Sequence, residues 1–466
     1  MFPANVYTER RKKLRDLLKS GVIIFTGNTE LPMNYPQNIY HFRQDSSFLY
    51  FFGLNEPGLG AVIDIDNNKE ILFGDDVDIE DVVWTGPLPL LSEKIKKFGV
   101  AHSAPFSAYS SYISDAKKQN RQVHFLPPYN PNTKIYLSNV LGLPVDKLKE
   151  TASIELMLAV IKLRSVKSDE EVANIEKGIE TAYEMFTKGI KLVKPEKYEY
   201  EVAGLMEGIA LAKNGTLSFP TILSVRGEIL HGHDHSNLMK EGDLLVIDAG
   251  FETPEHYATD HTRTVPVGGK FTQKQKEIYQ IVLDAQLAAI EAIKPGVKYQ
   301  EVHLLSCSVI AEGLKKLGLM KGDINEAVKQ GAHAFFLPHG LGHMMGMDVH
   351  DMEDIGQIYV GYDDEVRPID QFGTAYLRMG RRLQPGFVIT VEPGIYFIPE
   401  LFKLWKSENK FTEYINYDKV EEYLGFGGIR IEDDVLVTET GNRVLGKPIP
   451  KEIAEIEALM KENGLT

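Results

Sequence analysis

Apolar runs alternate with amphipathic stretches over the first 150 residues of the chain. GVIIFTG, AVIDID and KEILFG have the length and β-branched content of strands, whereas YTERRKKLRDLLKS spaces its apolar residues as a helix does. Turn signals separate these runs, most clearly at Asn67-Asn68. This alternation predicts an α/β domain.

A helical region leads into the rest of the chain. TASIELMLAVIKLR is helical in pattern. Ser168 with Glu171 three residues later has the spacing of a capping box, which predicts that a new helix begins near Asp169. We therefore expect two domains, residues 1–164 and 165–466.

The second part of the chain repeats one pattern, helices followed by a strand pair. Helical stretches at 169–192 and 199–213 precede LLVID and HTRTVPV. A helical stretch at 273–318 precedes VITVEPGIYF and GIRIEDDVLV. The repeat predicts an α+β domain with internal pseudo-symmetry, whose concave sheet brings the two hairpins face to face.

Composition narrows the class of protein. A chain of 466 residues favours about two or three domains, and a net charge of −15 argues against nucleic-acid binding. The single cysteine, Cys307, suits a reducing compartment. The N-terminal region is charged rather than apolar, and no apolar run is long enough for a membrane span. We expect a soluble, cytoplasmic protein that binds neither nucleic acid nor membrane.

Each predicted hairpin carries two acids on or beside its apolar strands. Asp248 and Asp260 belong to the first hairpin, and Glu392 and Glu432 to the second. A single acid at a strand end most often faces water. A buried carboxylate must instead be paired or bound to metal. Four acids in equivalent positions of two hairpins indicate a shared site.

Histidines supply the remaining candidate ligand. His339, His343 and His350 lie in HGLGHMMGMDVHD, where Gly340 stands in place of the Glu of a zinc-binding helix. Its glycines predict a non-helical segment that bends closely around a cluster. Four carboxylates and one imidazole balance two divalent cations, and shared carboxylates hold such ions about 3.5–4 Å apart. An oxygen-rich set suits manganese or another hard-to-intermediate ion better than it suits a thiolate-type zinc site. We expect one of these histidines to bind metal and the others to face the substrate.

A second histidine group occurs in ILHGHDHSN. His231 follows an apolar pair and is a candidate for the site. For His233 and His235 we expect a solvated loop.

Together these motifs resemble those of the Xaa-Pro aminopeptidase and prolidase family, the pita-bread metallopeptidases. Over residues 165–445 the resemblance rests on LLVIDAG, TDHTRTVPVGGKFT, PHGLGHMMGMDVHD, TVEPGIYF and GGIRIEDDVLVT. FRQDSSFLYFFGLNEPG resembles the family's N-terminal domain. His261 and a slightly longer first hairpin depart from the usual pattern, and we interpret both as loop variation.

The resemblance implies two divalent ions per chain, Mn²⁺ first, with Zn²⁺ or Co²⁺ as alternatives. It implies that one ion is held by Asp248 and Asp260. The second would be held by Asp260, His343, Glu392 and Glu432, with Asp260 and Glu432 shared between the ions.

The resemblance also implies roles around a proline-containing peptide. Glu392 is the expected base, and His350 and His231 are expected to stabilise the reacting oxygen or assist proton transfer. His339 would line the proline pocket, and Arg430 would position a neighbouring ligand.

Two further residues carry expectations that come from the resemblance. Trp84 resembles a tryptophan that approaches a neighbouring subunit's active site in a homodimer or homotetramer; the alternative is a partly buried anchor. Arg378 stands fourteen residues before Glu392, where prolidases place an arginine that binds the dipeptide's carboxylate. Its alternative is a surface charge or an ion pair with the acids at 363–365.

Three functions remain in competition at this point. FRQDSSFLYFFGLNEPG favours an Xaa-Pro aminopeptidase, the interpretation we adopt. The LHGH motif and the insert at 352–382 favour an Xaa-Pro dipeptidase. A non-catalytic pita-bread binding module would be expected to lack metal ligands, whereas all five are present.

Overall fold

The computed structural model describes residues 2–462. Backbone contacts divide this part of the chain into two compact units. The first runs to Arg164 and includes Met352–Gly356, and the second comprises Ser165–Asp351 and the residues from Gln357 onward.

The first unit is built on a five-stranded mixed sheet with the order β4-β3-β2-β1-β5. Its strands are β1 (Val22–Thr26), β2 (Gly60–Asp64), β3 (Lys69–Phe73), β4 (His102–Ala104) and β5 (Val123–His124). Its helices are α1 (Ala4–Leu18), α2 (Ser46–Phe52), α3 (Ile79–Thr85), α4 (Leu91–Lys94), α5 (Ser107–Lys118), α6 (Pro131–Leu141), α7 (Leu148–Thr151) and α8 (Ile154–Ser165).

The predicted α/β pattern of this unit is confirmed. β1, β2 and β3 pair antiparallel in sequence, while β4 and β5 join the edges in parallel. The turn between β2 and β3 passes through Asn68, whose φ of 48° lies in the left-handed region that asparagine tolerates.

The second unit combines four small sheets with nine helices among its described residues. The sheet orders are β10-β8-β7, β11-β14-β15, β12-β13 and β6-β9. Its strands are β6 (Thr216–Leu217), β7 (Ile222–Ser224), β8 (Leu244–Ala249), β9 (Phe251–Glu252), β10 (His261–Pro266), β11 (Val388–Val391), β12 (Gly394–Tyr396), β13 (Gly428–Arg430), β14 (Asp433–Val437) and β15 (Asn442–Val444). Its helices are α9 (Asp169–Leu192), α10 (Glu199–Ala212), α11 (Gln273–Ala292), α12 (Tyr299–Lys316), α13 (Ile324–Gln330), α14 (Glu353–Gly361, whose residues up to Gly356 belong to the first unit), α15 (Pro399–Ser407), α16 (Tyr417–Glu421) and α17 (Ile453–Lys461).

The repeat of helices and hairpins is present. α9 and α10 precede the antiparallel β8–β10 pair, and α11 and α12 precede the antiparallel β11–β14 pair. An isolated bridge between Thr262 and Glu432 joins the two hairpins. The hairpins therefore meet where the four candidate acids lie.

Local signals explain the helix boundaries. The predicted capping box is confirmed, because the Ser168 hydroxyl accepts from the backbone N–H of Glu171 and the Glu171 carboxylate accepts from that of Ser168. The helical stretch at 273–318 is two helices rather than one. Pro295 cannot continue the first helix, and Gly296 turns the chain with a φ of 85°.

The interpretation of His261 as loop variation is wrong. His261 is the first residue of β10, pairs with Ala249 of β8, and is only 2% exposed. None of the described helices is long and apolar enough to cross a membrane.

Candidate active site

A cavity of about 460 Å³ lies in the second unit where the two hairpins meet. Its wall includes ten of the residues predicted for the site: His231, Asp248, Asp260, His339, His343, His350, Arg378, Glu392, Arg430 and Glu432. Residues as far apart in the sequence as His231 and Glu432 thus line one cavity.

Strand ends position the four acids. Asp248 lies in β8, directly opposite Thr262 of β10, and Asp260 immediately precedes β10. Glu392 follows the last residue of β11, and Glu432 lies between β13 and β14. All four line the cavity, Asp248 from within β8 and the other three from positions next to strand ends.

The most compact group at the site is formed by Asp260, His343 and Glu432. One potential ligand atom from each lies within 4.8 Å of the others, and all three residues are buried. His343 Nε2 is 3.4 Å from Asp260 Oδ2 and 3.7 Å from Glu392 Oε1. These separations suit donors that converge on cations rather than one another.

The tautomer of His343 follows from its neighbours. Its Nδ1 lies 3.0 Å from the carbonyl oxygen of Met344, which can only accept, so Nδ1 carries the proton. Nε2 then presents its lone pair to the carboxylates. Metal-binding histidines are oriented by such a bond to a carbonyl.

Burial and mutual repulsion disfavour negative charge on these acids. Burial, reinforced by Asp248 and other acids, raises the pKa of Asp260 well above its ordinary value. Burial with Asp260 and Glu392 does the same to the pKa of Glu432. Burial also raises the pKa of Glu392, although His343 and Arg430 oppose the shift.

The donor set fits divalent cations. Asp248 Oδ1 and Asp260 Oδ1 are buried and make no hydrogen bond. Uncompensated buried carboxylate oxygens with one imidazole nitrogen are suited to ions such as Mn²⁺, and they exclude a thiolate-type zinc site.

Arg430 is tied to the first hairpin through an acid. Its Nη2 donates to Asp248 Oδ2 at 2.5 Å, and its Nη1 donates to the Tyr396 hydroxyl at 3.0 Å. Burial raises the pKa of Tyr396 to about 12 against the opposing charge of Arg430. Sequence reasoning missed Tyr396, although its place in GIYF, four residues after Glu392, was an available signal.

His339 belongs to the same network. Burial and the charge of Arg430 lower the pKa of His339 to about 3, so its ring is neutral. Its Nδ1 donates to the carbonyl of Gly340 at 2.8 Å, which leaves Nε2 to accept from the Tyr396 hydroxyl at 2.9 Å.

The segment that carries His339 and His343 is not helical, as predicted, and its glycines are required by close approach. A Cβ on Gly342 would lie 2.1 Å from the Thr390 carbonyl oxygen, and one on Gly340 would lie 2.5 Å from Leu377 Cα. The rings of His343 and His350 meet edge to face at 4.3 Å between centroids.

A buried ion pair closes the end of this segment. Lys167 Nζ lies 2.9 Å from Asp351 Oδ2, and both side chains are 1% exposed. Gly346 packs against the pair, since a Cβ there would lie 2.5 Å from Asp351 Oδ2. The pair fixes the backbone next to His350.

The second histidine group divides differently from expectation. His231 and His233 are exposed and both line the cavity, although His233 was assigned to a solvated loop. Partial desolvation of its ring at the cavity wall, together with the charge of Arg430, lowers the pKa of His231. His235 instead donates from Nε2 to the carbonyl of Thr221 at 3.1 Å.

Arg378 lies in the cavity wall, where it is half-buried. Two of the acids offered as its alternative partners have other cations: Glu365 pairs with Lys298 and Arg382, and Asp364 pairs with Arg367. The position is consistent with the substrate-binding interpretation.

Trp84 does not line this cavity. It is 86% exposed on α3, together with exposed Ile79 and Val83. The interpretation of Trp84 as a partly buried anchor is therefore wrong.

The fold and this site define a metal-dependent hydrolase, and sequence comparison gives its family. Metallopeptidase family M24 matches residues 173–439, and the aminopeptidase P N-terminal domain matches residues 7–125. The chain belongs to metallopeptidase family M24.

Known relatives match nearly the whole chain. It is 31% identical over 460 residues to the Xaa-Pro dipeptidase of Homo sapiens, covering 97% of this chain and 91% of that protein. It is 32% identical over 437 residues to the Xaa-Pro aminopeptidase of Escherichia coli (strain K12), covering 90% of this chain and 89% of that protein.

Solved structures agree with the predicted pita-bread fold. The Pseudomonas aeruginosa aminopeptidase PepP superposes with a TM-score of 0.79 at 28% identity, covering 98% of both chains. A zinc-substituted E. coli aminopeptidase P in complex with product superposes with a TM-score of 0.79 at 30% identity and the same coverage.

Proposed function

We propose that this metallopeptidase is an Xaa-Pro aminopeptidase, which removes the first residue of a peptide whose second residue is proline. One observation carries the proposal: a single cavity is lined by four acids, three of them buried, and by His343, whose ring lies close to Asp260 and Glu432. The names of the relatives support the choice of proline-containing peptides as substrates. The complete donor set disfavours the non-catalytic alternative.

In this proposal the five donor residues hold two divalent ions. Asp248 and Asp260 would hold one divalent ion, while Asp260, His343, Glu392 and Glu432 would hold a second, Mn²⁺ being the expected ion in both places. Such ions, when bound, polarise a peptide carbonyl. They also lower the pKa of water, which makes water a better nucleophile near neutral pH.

Glu392 is the proposed base. Its carboxylate lines the cavity, with Oε1 3.7 Å from His343 Nε2, and can there accept the proton that an attacking water releases. The proton can then pass to the nitrogen of the departing proline, which leaves as a secondary amine, with His350 and His231 assisting.

Neutral and apolar groups would hold the proline ring. His339 is uncharged and fixed by Tyr396, and Pro220 and Ile222 line the same cavity. A proline ring has no N–H to satisfy, so a wall of this kind costs it nothing in lost hydrogen bonds.

Arg378 favours the second candidate function, an Xaa-Pro dipeptidase. Its place in the cavity wall would allow a guanidinium to bind the terminal carboxylate of a dipeptide through two parallel bonds. We retain the aminopeptidase as the main proposal because a longer peptide also presents its first two residues to the donor set.

The deciding experiment compares Xaa-Pro dipeptides with Xaa-Pro-Xaa tripeptides in manganese-loaded enzyme. An aminopeptidase hydrolyses the tripeptide at least as well as the dipeptide. Turnover of the dipeptide alone would establish the dipeptidase. No turnover of either, with the ions bound, would reject both.

Assembly and location are proposed on the sequence evidence. We propose a cytoplasmic homodimer or homotetramer in which Trp84 reaches a neighbouring subunit's substrate; its exposure supports this. Trp84→Ala should then weaken substrate binding without reducing metal content, with Trp405→Phe as a control in the buried core of the second unit. A monomer with full activity at high dilution would contradict the assembly.

A further inference from the structure

Thr262 lies at the junction of the two hairpins. It is fully buried in β10, opposite Asp248 of β8, and it forms an isolated bridge to Glu432. It therefore stands between one proposed ligand from each hairpin.

The Thr262 hydroxyl makes two hydrogen bonds to charged groups. Arg430 Nε lies 3.1 Å from Thr262 Oγ1, and Thr262 Oγ1 lies 2.7 Å from Glu432 Oε2. A guanidinium can only donate, so the single hydroxyl proton is directed at Glu432. The direction of the chain is fixed: Arg430 donates to Thr262, and Thr262 donates to Glu432.

This chain joins both halves of the site. The same guanidinium donates from Nη2 to Asp248. One arginine and one hydroxyl thus hold an acid of the first hairpin and an acid of the second in a single hydrogen-bonded unit.

Glu432 needs such a restraint. Asp260, Glu392 and Asp248 surround it and repel its negative charge. A carboxylate next to these negative charges is more stable when it rotates away from them, unless a hydrogen-bond donor fixes one of its oxygens. The bond from Thr262 occupies part of Oε2 and sets the rotation of the carboxylate plane, which in turn sets where Oε1 points.

We propose that Thr262 is a positioning residue, which holds Glu432 in the orientation that two divalent ions can share. The inference rests on the proposed function, in which Glu432 is a shared ligand. Loss of a group that orients a ligand typically weakens metal binding by about 10–100-fold.

The test is a calorimetric titration of metal-free protein with Mn²⁺. Thr262→Val keeps the shape of the side chain and removes the hydroxyl, and its Mn²⁺ affinity should fall by about 10–100-fold. Thr262→Ser, which restores the donor, should bind Mn²⁺ nearly as the unmodified chain does.

Thr264→Val is the matched control. Thr264 is also fully buried on β10, two residues along on the same face, and its hydroxyl bonds only the backbone of Arg430, at 3.0 Å to the carbonyl and 3.1 Å to the N–H. The same chemical change there should leave Mn²⁺ affinity within about threefold, well short of the change expected at an orienting group.

The outcomes separate this inference from the proposed function. If the unmodified chain binds no Mn²⁺, the proposed function fails. If it binds two ions and Thr262→Val binds them equally well, only the positioning role fails. Equal losses in both valine variants would assign the effect to general weakening of β10 and would also overturn the role. If Thr262→Val does not fold, Thr262→Ala serves in its place, with the same expected loss.

Discussion

Two consecutive buried acids in the second unit, Asp433 and Glu432, differ in the charges that surround them. Asp433 Oδ1 accepts from Arg263 Nη2 at 2.6 Å, and its Oδ2 accepts from Lys451 Nζ at 2.7 Å. Burial alone would raise the pKa of Asp433, but Arg263 and Lys451 hold it well below its ordinary value. The preceding residue, Glu432, has its pKa raised well above the ordinary value by burial and by other acids.

The difference separates a structural acid from a functional one. Around Asp433 the protein supplies its own cations, so the charges balance within the fold. Around Glu432 it gathers three more acids against one guanidinium and the ring of His343. Divalent ions bound at the site would neutralise this excess of negative charge. Two consecutive residues, Glu432 just before β14 and Asp433 at its start, thus have different roles.

The largest expected effect comes from removing a shared ligand. Asp260→Ala or Glu432→Ala should lose both ions and reduce peptide hydrolysis to the rate of chelated enzyme. His343→Ala should disturb mainly one ion, because His343 belongs to one proposed set. Metal analysis with activity measurements checks this. Full activity in a variant that binds no metal would contradict the functional role assigned to Glu432 in contrast to Asp433.

The next effect concerns Asp433, whose charge is neutralised within the fold. Arg263 is fully buried and donates to Asp433 as well as to the carbonyl of Glu432. Arg263→Met should lower the free energy of unfolding by about 3–5 kcal/mol, since it leaves a buried charge with less compensation. Added Mn²⁺ should not restore the difference, because the loss lies outside the ion site.

Arg443→Met is the control for that measurement. Its ion pair with Glu176 is partly exposed, so the change should cost at most about 1 kcal/mol. Urea unfolding of both variants gives the comparison. Similar losses at the two sites would contradict the assignment of Asp433 to a structural role.

A smaller effect is expected at Arg378. Arg378→Ala or Arg378→Lys should weaken dipeptide binding by about 1–3 kcal/mol, the scale for charged hydrogen bonds, and dipeptide turnover should fall accordingly. Tripeptides, whose carboxylate lies one residue further away, should be affected less. Arg367→Ala, which removes an exposed pair with Asp364, is the control. Equal losses on both substrates would assign Arg378 to structural support.

Two buried histidines outside the site, His303 and His333, are neutral in the folded protein. Burial lowers the pKa of His303 to about 3 and that of His333 to about 4. The unfolded chain therefore binds more protons than the native one below about pH 6.5, and stability falls as the pH drops from there toward the lowered values.

His333→Leu should flatten this dependence. The slope of unfolding free energy against pH should decrease by at most about 1.4 kcal/mol per pH unit, the effect of one proton. Urea unfolding at several values between pH 7.5 and pH 5 measures it. An unchanged slope would show that His333 is not neutral in the native protein.

Local signals were sufficient for much of this fold. The Ser168 capping box, the strands of both hairpins and the Asn67-Asn68 turn each depend on residues a few positions apart, which a sequence displays directly. The acids were found for a related reason, since polar residues stand out against apolar strands.

Partners from distant segments were not predictable in this way. Arg263 bonds the carbonyls of Ile449 and Pro450, and Thr262 bonds Glu432, more than 160 positions away. The burial of His261 was missed because nothing near it in sequence shows that β10 is fully buried. Tyr396 was overlooked because its role depends on Arg430 and His339, which only the folded chain brings to it.

The most direct test of the account is the number of Mn²⁺ ions that the metal-free chain binds. Equilibrium dialysis with elemental analysis should give two ions per chain, and their binding should raise the thermal midpoint because the ions bind the native state. Asp433→Asn should leave the count at two, since that acid is neutralised by Arg263 and Lys451. One ion or none in the unmodified chain, or a count that depends on Asp433 as strongly as on Glu432, would contradict the account.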